Sequence, residues 1–161
     1  MKNTRKAFTM IELIFVIVII GILAAVAIPK LIATRDDAKV SASLSALALL
    51  VREMGGYYTA HDKYDTGNNK ITDLTNIKLF TDTDCSTIAR EIVSGNSYYY
   101  CTDYGSSLEA CVKIIPNNAG GVVVFSGESI PSGNICKGMQ LAPQFIKNIS
   151  RSFKMGGVRI Y

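Results

Sequence analysis

The sequence predicts an α+β protein: a long N-terminal α-helix, half membrane-spanning and half amphipathic, packed on a small antiparallel β-sheet. Three observations predict it. Residues 8–28 hold 14 large apolar residues of the Val, Ile, Leu and Phe type and a single charge, Glu12. Val40, Leu44, Leu47, Val51 and Met54 then recur at helical spacing and share one face. Further on, three β-branched or aromatic segments, 97–102, 110–115 and 121–126, are separated by turn residues.

The apolar run comes first. At roughly −0.4 kcal/mol per large apolar residue it favours bilayer insertion by about 6 kcal/mol, against at most about 3 kcal/mol opposing from a mid-membrane carboxylate. As a helix, the 21 residues of 8–28 rise about 30 Å, the thickness of a hydrocarbon core. Lys2, Arg5 and Lys6 precede it; such basic flanks stay cytoplasmic, so the C-terminal body is exported. An ionisable group within a membrane segment is expensive and calls for a function and a partner. That makes Glu12 a candidate functional residue.

The stretch KAFTMIELIFVIVIIGILAAVAIPKL resembles the amino terminus of type IV pilins and of the related pseudopilins of type II secretion, over about the first thirty residues. The resemblance implies a type IV pilin-like fold and a subunit of a pilus, serving adhesion, motility or DNA uptake, or of a secretion pseudopilus. It implies that a prepilin peptidase cuts between Ala7 and Phe8 and that Phe8 is then N-methylated. The family usually has Gly before the cut, so Ala7 is a departure. It also implies that Glu12 pairs with the amino group of a neighbouring subunit's first residue, which agrees with the cost of leaving either charge alone in low dielectric. Gly21 and Pro29 stand where the helix of assembled filaments of this family can melt. The implied partners are identical or homologous pilin subunits, the peptidase, an inner-membrane assembly platform and, before assembly, membrane lipid. The implied location is a single-pass inner-membrane precursor that becomes a periplasmic or extracellular filament.

A conventional signal peptide is the competing reading, since Ala25-Val26-Ala27 supplies an A-x-A triplet. It would leave a secreted soluble binding domain or hydrolase beginning at Ile28. Glu12 argues against it, because an early carboxylate weakens a signal peptide and contributes nothing to it.

The formal charge of +4 resides mostly in the leader: without Lys2, Arg5 and Lys6, 14 basic residues face 13 acidic ones. Global charge therefore selects no partner. Cys85, Cys101, Cys111 and Cys136 suit an oxidising compartment and suggest two bridges; without C-x-x-C, a zinc or redox site is disfavoured. Their spacing leaves three connectivities open. The family resemblance favours Cys111 with Cys136, leaving Cys85 with Cys101.

The organisation expected is a leader at 1–7, a transmembrane and assembly helix at 8–29, its amphipathic half at 30–54, and a head at 55–161. Pro29 predicts a kink or weak point, with Gly21 a second. Gly55-Gly56 predicts the helix stop. Residues 57–96 read as a long connection with a short helix at 86–93. Asp82 and Asp84 could ligate calcium, but two carboxylates make an incomplete ligand set, and no metal site is assigned. The three strands form an antiparallel meander over the stripe of Val40 to Met54, with Tyr98, Tyr99 and Tyr100 alternating between core and surface.

No catalytic constellation is found, and no cofactor is implied. His61 is the one histidine and reads as solvated beside Asp62. Gly133 and Gly138 have P-loop spacing, but Met139-Gln140 follow where Lys and Ser or Thr are needed. Asn148-Ile149-Ser150 matches a glycosylation sequon by spacing alone. After Glu128 there is no acidic residue. Pro143 and Gly156 predict a helix at 143–155, with Ile146, Ile149 and Phe153 on one face and Lys147, Arg151 and Lys154 on the next. That basic stripe is an ordinary solvated face or a surface for an acidic partner, such as DNA or a neighbouring subunit.

Overall fold

The structure, a computed structural model, describes residues 8–67, 70–128 and 131–155. The chain divides into two compact units, Met1–Asp36 and Asp37–Tyr161. Helix α1, Met10–His61, contributes to both. In the first unit it is a lone helix that runs unbroken past Gly21 and Pro29. Pro29 thus lies inside a continuous helix, where it removes one backbone donor.

In the second unit, α1 is the layer that covers a four-stranded antiparallel sheet. The strands are β1 (Tyr98–Tyr104), β2 (Ser107–Asn117), β3 (Val122–Gly127) and β4 (Ser152–Lys154), in spatial order β1-β2-β3-β4. Leu47, Leu50 and Met54 of α1 are fully buried and Tyr58 nearly so, against Tyr98, Val112, Ile114, Val123 and Phe125 of the sheet. Val40, Leu44 and Val51 are half-buried at the border of this face. The stripe is therefore centred one position away from the expected one, on Leu47, Leu50, Met54 and Tyr58.

The helix ends at His61, not at Met54. Gly55 and Gly56 cost about 1 kcal/mol each in a helix interior, but continuing the helix buries Tyr58, whose hydroxyl donates to the Asn118 carbonyl at 3.2 Å. The stop is Asp62, in the left-handed region at φ 56°, with its N–H donating to the Tyr58 carbonyl at 2.7 Å. It takes the place that glycine commonly takes after a helix.

The helix expected at 86–93 is absent. The segment is extended: Ile88 bridges Phe80, and the N–H of Ala89 donates to the Leu79 carbonyl at 2.8 Å. Ala89 and Ile92 are buried while Ile88 is exposed. Regular structure in this connection is limited to a 3-10 turn, Ile71–Asp73, among the described residues.

The helix expected at 143–155 is replaced by a π-helical turn (Phe145–Ile149) and β4, and an unexpected helix α2 (Asn134–Leu141) precedes them. The edge of β3 explains this, because its backbone groups need partners. Phe125 N–H donates to the Arg151 carbonyl at 3.1 Å and Met155 N–H to the Gly121 carbonyl at 2.7 Å, which holds β4 extended. β1 and β2 also exceed their predicted lengths, whereas β3 keeps its length and lies one residue further on. β1 and β2 close through Gly105, at φ 61°, and β2 continues through Pro116. Proline is tolerated there because β1 begins opposite Ile114, so no ladder donor is required of residue 116.

Tyr64 ties the end of α1's connection to this sheet. It is fully buried, and its hydroxyl donates to the Gly121 carbonyl at 3.0 Å. Burial, then the nearby Tyr58, pushes its pKa upward. The stabilisation is intact below the unfolded phenol's pKa of about 10 and is lost as pH rises beyond it, since the unfolded chain releases the proton first. Tyr64→Phe is expected to lower stability at neutral pH by about 1 kcal/mol, through the lost hydrogen bond to the Gly121 carbonyl, which keeps the Met155 N–H as its donor. It should also flatten the alkaline limb of the stability curve above about pH 10, measured by urea unfolding across pH.

Candidate assembly site

The apolar half of α1 is the most unusual surface of the molecule. Its 17 large apolar residues between Phe8 and Ile32 are 44% to 84% exposed, around the whole circumference of the helix. A soluble surface helix hides one stripe and wets the other, so apolar exposure on this scale marks a membrane or protein contact. The helix is long and apolar enough to cross a membrane.

Glu12 is the one charge in this surface up to Ile28, and the structure shows how it is held. Thr9 precedes the first helical residue, and its N–H and hydroxyl donate to Glu12 Oε2 at 2.9 and 2.7 Å. The Glu12 N–H in turn donates to Thr9 Oγ1 at 3.4 Å. This is a reciprocal capping box, which satisfies two of the donors that a helix start leaves over. One carboxylate oxygen carries both bonds to Thr9. Sequence reasoning passed over Thr9, although the T-x-x-E spacing before an apolar run is its signature.

The cysteines pair as the family resemblance implied, Cys85 with Cys101 and Cys111 with Cys136. The first joins the 80–92 loop to β1; the second joins α2 to β2. Lys147, Arg151 and Lys154 are all exposed but do not form one helix face. Lys147 sits in the π-helical turn, Arg151 in the bend after it and Lys154 on β4, because the chain straightens to pair with β3. Ile149 is buried, whereas Ile146, expected beside it on the apolar face, is 59% exposed.

Other candidates fall into structural roles. The Asp82 carboxylate accepts from the N–H groups of Ser86 and Thr87 at 2.8 and 2.9 Å, and these bonds, Ser86 first, hold its pKa below the usual range. His61 stacks on Tyr57 with 4.2 Å between centroids. Tyr98 is buried, and Tyr99 and Tyr100 are half-buried. Gly133 caps α2, and the Glu109 carboxylate from β2 accepts its N–H at 2.8 Å and that of Ser132. A protein carboxylate thus fills the helix start where a P-loop would hold phosphate, and a Cβ at Gly133 would meet it at 2.7 Å. Nothing in the local sequence announces this contact across 24 residues. Ala7 with the rest of residues 1–7, and Gly156 and Arg159, lie outside the described residues.

The profile of the prokaryotic N-terminal methylation motif matches residues 2–28. The type IV wide pilus major component PilA4 of Thermus thermophilus is 38% identical over 107 residues, which is 66% of this chain and 77% of that protein. The chain belongs to the type IV pilin and pseudopilin family. The Thermus match, over 107 residues, reaches well beyond the motif at residues 2–28. The type IV major pilin protein PilA of Myxococcus xanthus is 38% identical over 67 residues, 42% of this chain and 30% of that protein. The type II secretion system core protein G of Dickeya chrysanthemi is 29% identical over 66 residues, 41% of this chain and 43% of that protein. The chain thus spans under half the length of these last two relatives. No solved structure matches the chain significantly.

Proposed function

We propose that this pilin-family chain is a structural subunit of a type IV pilus. On this reading residues 1–7 are a leader, removed by a prepilin peptidase between Ala7 and Phe8, after which Phe8 is N-methylated. Residues 8–29 anchor the precursor in the inner membrane and then form the filament core; the amphipathic half of α1, continuing to His61, carries the head. Glu12 pairs with the methylated amine of a neighbouring copy, and Gly21 and Pro29 are where the helix yields on assembly. An inner-membrane platform moves subunits from lipid into the filament. The observation that carries the reading is the exposed apolar half of α1, whose lone carboxylate, Glu12, lies inside the matched methylation motif.

The match to a type II secretion core protein supports a second reading, a pseudopilin. Two disulfides favour the pilus, since bridges suit a filament outside the cell. The family is structural, and no reaction is assigned to this chain.

Mass spectrometry of the mature amino terminus tests both filament readings against the secreted-domain alternative. N-methyl-Phe8 is the expected result; a mature chain beginning at Ile28 would overturn them. Electron microscopy of sheared cell surfaces then separates pilus from pseudopilus.

A further inference from the structure

We propose that the two lateral edges of the head are complementary docking surfaces, the basic β4 edge of one copy seating against the acidic 82–87 turn of the next. The proposal rests on the filament reading above and names a contact that reading leaves open. Phe80 and Tyr99 exchange N–H to carbonyl bonds at 2.9 and 2.8 Å, which sets the 80s segment outboard of β1. From there to β4 are four interstrand steps, about 19 Å at roughly 4.8 Å each. The two surfaces therefore lie on opposite sides of the sheet, and one copy does not neutralise its own charges.

The 82–87 turn and the three residues at the β4 edge are opposite in sign. Lys147, Arg151 and Lys154 are exposed, and no acidic residue follows Glu128. Among the described residues the ion pair present is Lys39 with Asp103, so these three cations have none there. The Arg151 guanidinium is held 4.9 Å from the Phe153 ring centroid, over the sheet edge. On the other side Asp82 and Asp84 stand on a turn with no cation between Lys78 and Arg90. Asp82 is fixed by Ser86 and Thr87, and Asp84 is exposed.

Exposed ion pairs alone contribute little. Each edge also presents an apolar residue: Ile146, 59% exposed, beside Lys147, and Ile88, 51% exposed, beside Thr87. Burying these against a neighbour supplies apolar contact, while the charges set which edge meets which. β4 is three residues long and carries a lysine, features that oppose indiscriminate strand addition. Side-chain docking therefore fits this edge better than an extended sheet. Two different surfaces that meet head to tail make a heterologous contact, and such a contact repeats into an open helical filament.

The test compares the full-length chain with a triple reversal (Lys147→Glu, Arg151→Glu, Lys154→Glu), with Asp84→Lys, and with the two combined. Asp82 is left intact because its carboxylate holds the turn. Filament yield relative to membrane-bound precursor is read at low and high salt, with N-methyl-Phe8 and both disulfides verified by mass spectrometry. The triple reversal is expected to lower yield about tenfold, and the combined swap to recover it to within about threefold of wild type. Wild-type yield in the triple reversal overturns the edge contact and leaves the filament reading standing. If that variant also loses binding to a DNA duplex with a flattened salt dependence, the cations belong to a nucleic-acid surface, and the edge contact is again overturned. A wild-type chain that carries mature Phe8 yet forms no filament overturns the filament reading and this contact with it.

Discussion

Glu12→Val is expected to leave the precursor in the membrane at wild-type level and to reduce filament yield by two to three orders of magnitude. Insertion cannot suffer, because a carboxylate is exchanged for an apolar group and the balance shifts further toward the bilayer. Assembly should fail, because the neighbour's amine then enters the filament core without a counter-charge. Breaking one side of a buried ion pair costs about 3–5 kcal/mol. The variant also loses the capping box with Thr9, for which about 1 kcal/mol is a typical cost. Glu12→Gln separates the two effects, since an amide oxygen still accepts from Thr9 but carries no charge. If Gln fails as Val does, charge pairing governs assembly; if Gln assembles normally, the cap is what matters. Wild-type yield from the valine variant would count against the pairing altogether. Processing before Phe8 is checked in each variant, so that a peptidase defect is not mistaken for one of assembly.

The contrast between what the sequence foretold and what the fold contains follows the range of the interactions. The apolar half of α1 was legible because insertion depends on summed side-chain chemistry over 21 contiguous residues. The first two strands and their neighbour were legible in their centres through β-branched and aromatic content, and missed at their ends. Gly105 closes a tight hairpin whose strands reach further than their apolar cores. Gly55-Gly56 misled because helix propensity is a weak prior: Tyr58 and Tyr64, packed with 4.8 Å between tilted rings, reward about two more turns of helix. The 86–93 segment has helix-compatible composition, but the Cys85–Cys101 bridge and the pairing of Thr81 with Thr87 hold it extended. α2 was invisible because its start is capped from a strand 24 residues earlier, by Glu109 rather than by a local residue. β4 was misread as helix for a similar reason. Its conformation answers the open edge of β3, which no local periodicity records. The three cations it helps to present were identified as residues, but the surface they share is a sheet edge and its flanking turn.

The Cys111–Cys136 bridge is expected to matter most for the head, more than its loop length alone implies. Closing 25 residues against 16 for Cys85–Cys101 gives chain-entropy contributions of about 3.5 and 3.1 kcal/mol, nearly equal. The surroundings differ. Cys111 and Cys136 are both fully buried, and Thr102 Oγ1 lies 2.9 Å from one sulfur and 3.4 Å from the other. Replacing both by Ala leaves a void and strands the buried Thr102 hydroxyl, each adding about 1 kcal/mol or more. The Cys111→Ala, Cys136→Ala chain should therefore lose about 4–6 kcal/mol, a large share of the roughly 5–15 kcal/mol of a typical domain. Cys85 is buried beside Phe80 and Ala110, but Cys101 is half-buried and among the described residues no buried hydroxyl lies against this pair, so Cys85→Ala, Cys101→Ala should stay nearer the entropic value. Urea unfolding of the detergent-solubilised oxidised chain, followed by tyrosine fluorescence, measures both. Equal losses would mean that loop closure alone governs the two bridges. A loss below about 1 kcal/mol for the buried pair would mean that α2 is held without it. The bonds that would then suffice are those from the Gly133 N–H to Glu109 and from the Gln140 amide to the Cys111 carbonyl.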